Sequence, residues 1–306
     1  MIRSDSRLER ILHQGLFAVT AEVVPPRSVD PSAVSAQARA LVGHADAVNV
    51  TDNPTAGAHM SPVAGAALVA AAGLEPVLQL TTRDRNRLGL TSELLGGWAL
   101  GARSALCLTG DPATVGDHPD AKEVYDLDVL SLVSLVASLR DEGRLASGGT
   151  IDPAPRYFIG VADVPLARPY DAGRLEAKLD AGADFVQTQI VYDVEAFGEW
   201  ADAVRSRGLL ERCFVLAGVA PLRSAGQARF MNEHLPGVHV PGDVVRVLDE
   251  AGQASTEVGV RLCVEVVAKL KAIPGIAGVH VMGLGKEESV RRVVDGAGLL
   301  PRPVVG

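Results

Sequence analysis

The stretch DAVNVTDNPTAGAHMSP, residues 46–62, contains the pattern that decides the fold. An apolar run ends in the polar residues Thr51, Asp52 and Asn53, and an alanine-rich segment with helical character follows. Short apolar runs of the same kind recur at 17–24, 46–53, 76–82, 104–110, 157–163, 184–192, 213–220 and 278–284. Near-continuous apolar runs of this length are typical of strands that are buried on both faces, as in a parallel sheet.

Segments with helical spacing separate these runs, for example at 34–44, 93–103, 127–143 and 173–183, and several end at a glycine that suits a helix C-cap. Eight strand–helix units in one chain favour a closed (β/α)8 TIM barrel over an open doubly wound sheet. No strand opens a G-x-G-x-x-G turn, so the dinucleotide fingerprint of the open fold is missing. We therefore expect one barrel domain over residues 1–306 that includes a short amphipathic N-terminal helix.

Composition excludes several classes of partner. The net charge is −8 and no run of lysine and arginine occurs, which argues against nucleic acid and against an anionic membrane surface. Cys107, Cys213 and Cys263 lie in apolar segments without metal-ligand spacing, so we interpret them as core residues in a reducing compartment. The N-terminal segment has no apolar signal core, and the sequence predicts a cytoplasmic protein without a membrane span.

Barrels of this kind carry their active sites at the C-terminal ends of the strands. The polar residues at those ends are acids, amides and hydroxyls, with no H-E-x-x-H, G-x-S-x-G or Cys–His arrangement, which argues against metal hydrolysis and acyl transfer. They are Glu22, Thr51 to Asn53, Gln79, Thr81 to Asp84, Thr109 to Asp111, Asp163, Gln187, Gln189, Arg223 and Lys286.

Glu22 is the strongest candidate for chemistry. It lies among Ala21, Val23 and Val24, and Pro25–Pro26 stop the strand directly afterwards. Poor solvation raises the pKa of a carboxyl group and suits it to hold a proton near neutral pH. The alternative is a structural ion pair with an arginine at the barrel rim.

Other polar positions permit a functional and a structural interpretation. Local sequence favours Asp111 as a cap of the turn that follows it. Gln187 and Gln189 share a strand face, where they either meet a ligand or form an internal hydrogen-bond network. Arg83, Arg85 and Arg87 surround Asp84, and a salt-bridge lattice at the rim is favoured over an anion site.

Three motifs at successive strand ends make the chain resemble the methylenetetrahydrofolate reductase family over essentially its whole length. They are Glu22 before Pro25–Pro26, the pair Gly110–Asp111, and TQIVYD at 188–193. The stretches at 78–90, 108–119 and 232–240 resemble in particular the reductase domain that some bacteria fuse to a homocysteine methyltransferase.

The resemblance implies a (β/α)8 flavoprotein that reduces 5,10-methylenetetrahydrofolate to 5-methyltetrahydrofolate with NADH or NADPH. Glu22 would be the general acid that opens the five-membered ring of the substrate to an iminium ion, and Asp111 would lie near flavin and pterin. Implied folate-binding positions are Gln189, Gln227, Phe230, Met231 and Lys286. Implied FAD-binding positions are Thr51, Gln79, Thr109, Gly110, Asp111, Tyr125, Asp126 and Lys178.

The chain departs from the family pattern at three places. Asp163 stands where an aromatic residue commonly packs on the flavin, and Gln79 replaces a common histidine. Met231 occupies the position of an aromatic residue that stacks on folate, with Phe230 beside it as a substitute.

The sequence is also compatible with three rival functions. They are a barrel methyltransferase that uses methyltetrahydrofolate, a flavin-free or partner-dependent reductase, and a non-catalytic folate-binding subunit. As partners, the resemblance implies two small molecules, a folate and a nicotinamide nucleotide. We also expect the chain to form a homo-oligomer.

Overall fold

Eight parallel strands close into a barrel in which each strand pairs with the next and β8 pairs with β1. The computed structural model describes residues 2–305. The strands are β1 (Ala18–Val23), β2 (Ala47–Val50), β3 (Pro76–Thr81), β4 (Ser104–Leu108), β5 (Phe158–Asp163), β6 (Phe185–Ile190), β7 (Phe214–Val219) and β8 (Ile276–Val281). The predicted TIM barrel is confirmed. Some predicted strands were too long, as at 46–53, because the polar residues after Val50 leave the sheet and form the loop at the barrel mouth.

Helix α1 precedes the first strand, and the other helices follow the strands and cover the outside of the barrel. They are α1 (Arg7–His13), α2 (Pro31–Leu41), α3 (Pro62–Ala71), α4 (Arg87–Ala99), α5 (Val129–Glu142), α6 (Ala172–Asp180), α7 (Val194–Ser206), α8 (Ala225–His234), α9 (Gly242–Glu250), α10 (Ser255–Lys271) and α11 (Glu287–Gly296). Short polar side chains begin many of them: Asp128, for example, accepts a hydrogen bond from the Ser131 amide at 2.7 Å. Gly143 ends α5 in the left-handed conformation, as the sequence predicted.

The amino-terminal end of the barrel is closed by an apolar plug. Leu8, Ile11 and Leu12 of α1 pack onto inward-facing strand residues, including Phe158 and Phe185. Gly160 is required here, because a Cβ atom at this position would lie 2.2 Å from the Phe185 ring. The plug leaves the carboxyl-terminal mouth as the open end of the barrel.

A layer of buried polar side chains crosses the barrel above this plug. Gln187 and Asn49 form a reciprocal amide pair, with N–O distances of 2.6 and 3.1 Å, and Gln187 also donates to Thr20. The Thr20 hydroxyl lies 3.0 Å from Nδ1 of His280, whose pKa burial lowers to about 4. His280 is therefore neutral at physiological pH. The internal network that the sequence left open for Gln187 is confirmed.

The three cysteines are buried and unpaired, and burial raises the pKa of each thiol to about 12. Their predicted role as small core residues is confirmed. Within residues 2–305, no helix combines the length and the apolar character that a membrane crossing requires.

Candidate active site

The carboxyl-terminal ends of the strands surround a cavity of about 1310 Å³. Two smaller cavities lie elsewhere, one of about 710 Å³ between α7 and α10 and one of about 660 Å³ beside the apolar plug. The mouth cavity gathers most of the strand-end residues that the sequence selected, namely Glu22, Thr51 to Asn53, Gln79, Thr81, Thr82, Thr109 to Asp111, Asp163 and Gln189. Tyr125 and Lys178, which the family resemblance implied as cofactor contacts, also line it.

Glu22 lies on β1 at the floor of this cavity. Burial raises the pKa of its carboxyl group from 4.5 to about 7. None of the hydrogen bonds or ion pairs formed among residues 2–305 involves this carboxyl group. The alternative of a rim ion pair is therefore wrong, and Glu22 can hold a proton near neutral pH and present it to the cavity.

Asp111 contacts a neighbouring loop. Its carboxylate accepts a hydrogen bond from the Thr55 amide at 3.1 Å, and its carbonyl oxygen accepts one from Arg83 at 2.7 Å. The turn after Asp111 is instead capped by Glu123, which accepts from the Ala113 amide at 2.7 Å. The expectation that Asp111 caps its own turn is wrong, because the β2–α3 loop supplies a nearer donor.

The β2–α3 loop, residues 51–61, has an unusual backbone at the cavity edge. Asn53, Thr55 and Ala56 all adopt positive φ values, of 45°, 52° and 53°. The loop packs against Gly116, where a Cβ atom would lie 2.0 Å from the Ala56 carbonyl oxygen. Left-handed non-glycine residues persist only where surrounding contacts hold them, and they concentrate at functional sites.

The arginines after β3 form the predicted rim lattice, which is confirmed. The ion pairs are Arg83 with Asp84, Arg85 with Asp52 and Arg87 with Asp126, at N–O distances of 2.6 to 2.8 Å. Hydrogen bonds from Arg87 lower the pKa of Asp126 to about 2. Asp126 was a predicted cofactor contact, but it lies at the rim and is not part of the cavity wall.

Gln189 lines the cavity at an irregular part of β6. The register between β6 and β7 shifts between Gln187 and Ile190. The Gln189 side chain accepts from the Ile190 amide at 3.0 Å, and its Nε2 lies 3.4 Å from the Pro236 carbonyl oxygen. Gln187 is thus part of the buried network, whereas Gln189 is open to a ligand.

The remaining predicted folate contacts are not part of the cavity wall. On α8, the Gln227 side chain accepts from the Arg223 amide at 2.9 Å, and Met231 is buried. Phe230 is 55 % exposed, so between the two neighbours only Phe230 offers its side chain to a ligand. Lys286 is exposed just before α11.

The opposite wall carries a cluster of polar groups from β5 and α6. The Lys178 amine donates to the Ala162 carbonyl oxygen at 2.6 Å, and the Tyr170 hydroxyl donates to Asp163 at 2.8 Å. Burial raises the pKa of Asp163 and lowers the pKa of Lys178. Arg174 precedes Lys178 by one helical turn and also lines the cavity.

Two of these wall residues were missed by the sequence reasoning. Arg174 was detectable as a second cation four residues before Lys178, on the same helix face. Tyr170 had only a weak signal, an aromatic residue within a polar loop after the fifth strand.

Thr51 carries a buried polar atom at the cavity wall that lacks a partner among residues 2–305. The residue is 6 % exposed and its Oγ1 is buried without a hydrogen-bond partner among residues 2–305. A buried hydroxyl without a partner is costly, and such atoms in native structures call for an explanation. Because Thr51 lines the cavity, a bound polar molecule is the simplest source of the missing partner.

Comparison with known proteins points to one family. A family model described as "Methylenetetrahydrofolate reductase" matches residues 7–298. The "Probable methylenetetrahydrofolate reductase (NADPH)" of Caenorhabditis elegans is 24% identical, over 96% of this chain and 44% of that protein. "Methylenetetrahydrofolate reductase 2" of Schizosaccharomyces pombe is 28% identical, over 74% of this chain and 36% of that protein. This chain thus spans less than half the length of these two relatives.

A bacterial relative is closer in length. The "5,10-methylenetetrahydrofolate reductase" of Escherichia coli is 24% identical, over 75% of this chain and 72% of that protein. Among solved structures, an uncharacterized protein from Clostridium thermocellum that binds two copies of 5-methyl-5,6,7,8-tetrahydrofolic acid superposes with a TM-score of 0.66 at 13% identity. The superposition covers 96% of this chain and 100% of that one. At this identity the likeness concerns the barrel fold.

Proposed function

This chain belongs to the methylenetetrahydrofolate reductase family, and from that premise we propose that it reduces 5,10-methylenetetrahydrofolate to 5-methyltetrahydrofolate. The electron donor is a nicotinamide nucleotide, NADH or NADPH, and FAD is the bound cofactor. The observation that carries this proposal is Glu22 at the mouth cavity, a carboxyl group that forms no ion pair with any of residues 2–305 and whose pKa burial raises to about 7.

Glu22 acts as the general acid. Its proton goes to a nitrogen of the methylene bridge, the bond from that nitrogen to the bridge carbon breaks, and an iminium cation forms on the substrate. A hydride added to the iminium carbon then completes the methyl group. A positioned acid with a pKa near the working pH is suited to this step, since it is still protonated and yet acidic enough to give up its proton.

The charge of the cavity favours the cationic intermediate. Asp111 places a carboxylate at the cavity edge, where it attracts the developing positive charge. Gln189 has an amide directed to the cavity, and we assign it to hydrogen bonding with the pterin. Phe230, Gln227 and Lys286 lie outside the cavity wall and are assigned to the more exposed parts of the folate.

The residues on the wall fit FAD. When bound, the flavin supplies the hydride. The partnerless Thr51 hydroxyl is available to a polar group of the cofactor, and Lys178 and Arg174 offer cations suited to its diphosphate. The rest of the surface that would face the cofactor consists of Gln79, Thr109, Gly110 and Tyr125.

One observation favours a second candidate, a flavin-free reductase in which hydride passes directly from the nicotinamide nucleotide. Asp163 occupies the position where the family resemblance places an aromatic residue against the flavin, and a carboxylate cannot stack on a ring.

The experiment uses the purified protein, incubated without oxygen with 5,10-methylenetetrahydrofolate and either NADH or NADPH. We expect 5-methyltetrahydrofolate in stoichiometric amounts and a flavin absorption band in the visible spectrum. Product without any flavin band would select the second candidate. Folate binding without product would refute the reductase proposal and leave a folate-binding protein.

Assembly and location belong to the same proposal. We place the enzyme in the cytoplasm, in keeping with its free buried cysteines, and we propose that it forms a homo-oligomer. Light scattering of the purified protein measures the oligomeric state, and a monomer would contradict it.

A further inference from the structure

The side chain at the family's aromatic position is hydrogen-bonded to an aromatic residue further along the chain. Asp163 ends β5, and its carboxylate accepts a hydrogen bond from the Tyr170 hydroxyl at 2.8 Å. Tyr170 belongs to the β5–α6 loop, directly before Asp171, which caps α6. Both Asp163 and Tyr170 line the mouth cavity.

The Tyr170 ring is held from two sides. Asp163 holds the hydroxyl, and the indole of Trp200 meets the ring edge-on, with centroids 6.3 Å apart and planes at 80°. Trp200 is only 4 % exposed and packs in turn on Phe197 at 4.9 Å, so it forms a rigid support. Tyr170 itself is only partly buried, which leaves part of the ring available to a ligand.

We propose that Tyr170 supplies the aromatic surface of the cofactor site, and that Asp163 is the positioning residue that holds this ring against the cavity. The proposal rests on the proposed function, because it concerns FAD as the cofactor. The carboxylate at position 163 then does not repel the flavin, since it is directed to the phenol hydroxyl. Hydrogen bonds to an ionised carboxylate are stronger than neutral ones, which makes Asp163 a suitable anchor.

In this arrangement Tyr170 takes over the aromatic role that the family resemblance assigns to position 163. Instead of an aromatic residue on the strand, this chain has a strand carboxylate that orients a loop tyrosine. Tyrosine loses little conformational freedom on binding and presents a flat, polarisable face, so it suits stacking against a planar ring.

The test measures FAD affinity and the fluorescence of bound FAD in the full-length protein, stripped of flavin and titrated with FAD. A stacked tyrosine quenches flavin fluorescence, and a residue with a purely structural role does not change that signal. We expect Tyr170→Leu to weaken FAD binding about 3- to 10-fold and to restore fluorescence, in line with the strength of aromatic pairs. Tyr192→Phe, at a tyrosine outside this cavity, is the matched control and leaves both readouts unchanged.

A double-mutant cycle tests the anchor and does not depend on Tyr170→Leu folding. Tyr170→Phe and Asp163→Ala each keep the ring and remove the hydrogen bond, so both give the same small loss of affinity and quenching. The double variant is then no worse than either single variant, because the two residues act through one contact. Two outcomes would overturn the proposal: losses that add up in the double variant, or wild-type affinity and quenching in Tyr170→Leu. Neither outcome would contradict FAD as the cofactor. A wild-type protein that binds no FAD would overturn it together with the cofactor part of the proposed function.

Discussion

Replacement of Glu22 by glutamine should separate the two halves of the reaction. Glutamine keeps the size and hydrogen-bonding reach of the side chain but cannot supply the proton that opens the folate ring. Loss of a positioned general acid typically reduces a rate by about two to four powers of ten. Reduction of the flavin by the nicotinamide nucleotide needs no proton at folate, so we expect that half-reaction to keep its rate.

The same substitution should change how stability depends on pH. The pKa of Glu22 rises from 4.5 to about 7, and one pKa unit corresponds to about 1.4 kcal/mol, so the full shift corresponds to about 3 kcal/mol. Because the carboxyl group faces a cavity that admits water, we expect a measured effect of about 1–3 kcal/mol.

The sign follows from the raised pKa. Below pH 4.5 Glu22 is protonated in the folded and the unfolded chain, so its burial carries no charge penalty. Between pH 4.5 and about 7 the unfolded chain ionises this group while the folded chain keeps it protonated, so the folded chain loses stability as the pH rises and the full loss is reached above pH 7. Glu22→Gln should therefore match the wild type at low pH and exceed its stability at high pH.

Stopped-flow spectroscopy measures the two half-reactions, and urea denaturation at about pH 4 and pH 8.5, below and above the two pKa values, measures the stability difference. Glu265→Gln removes the same charge from an exposed position on α10 and serves as the control. If both half-reactions slow together, Glu22 orients the cofactor or the fold instead of donating a proton. If the folate half-reaction keeps its rate, another group is the acid.

Three further substitutions test the packing and the ligand site. Arg302→Met removes one partner of the buried ion pair with Asp46 and should cost about 3–5 kcal/mol of unfolding free energy; an unchanged urea midpoint would contradict this. Gln187→Leu leaves the Asn49 amide without its partner and should cost about 1–3 kcal/mol in the same assay, whereas a neutral effect would show that water replaces the lost bonds. Thr51→Val removes the partnerless hydroxyl, so the flavin-free protein should be at least as stable, while FAD affinity measured by calorimetry falls about 5- to 15-fold. Unchanged affinity would mean that this hydroxyl meets no ligand.

Much of the site could be predicted because its residues share a position in a repeated pattern. Glu22, Thr51, Asp111 and Gln189 each lie at or just after a strand end, and a parallel barrel brings all such ends to one mouth. Their individual partners were harder to predict. Asp111 accepts its hydrogen bond from Thr55 on another loop, and local turn preference carries no information about that donor.

The choice between neighbouring residues also depended on packing. Phe230 and Met231 are adjacent, and the sequence offered both as folate contacts. The helix turns Met231 into the core and leaves Phe230 exposed. Only the orientation of α8 against the barrel decides this, since successive helical residues point in directions about 100° apart.

The sequence by itself determined the barrel, and it predicted the end of the barrel at which the candidate site lies. Strand and helix periodicity are local properties of the chain, and eight repeats of one unit leave few other ways to bury the apolar strands. The tertiary structure alone decided which side chains meet: Asn49 with Gln187, Asp163 with Tyr170 and Arg302 with Asp46. Such pairs depend on the side-chain directions and loop paths that closure of the barrel imposes, and no local pattern encodes them.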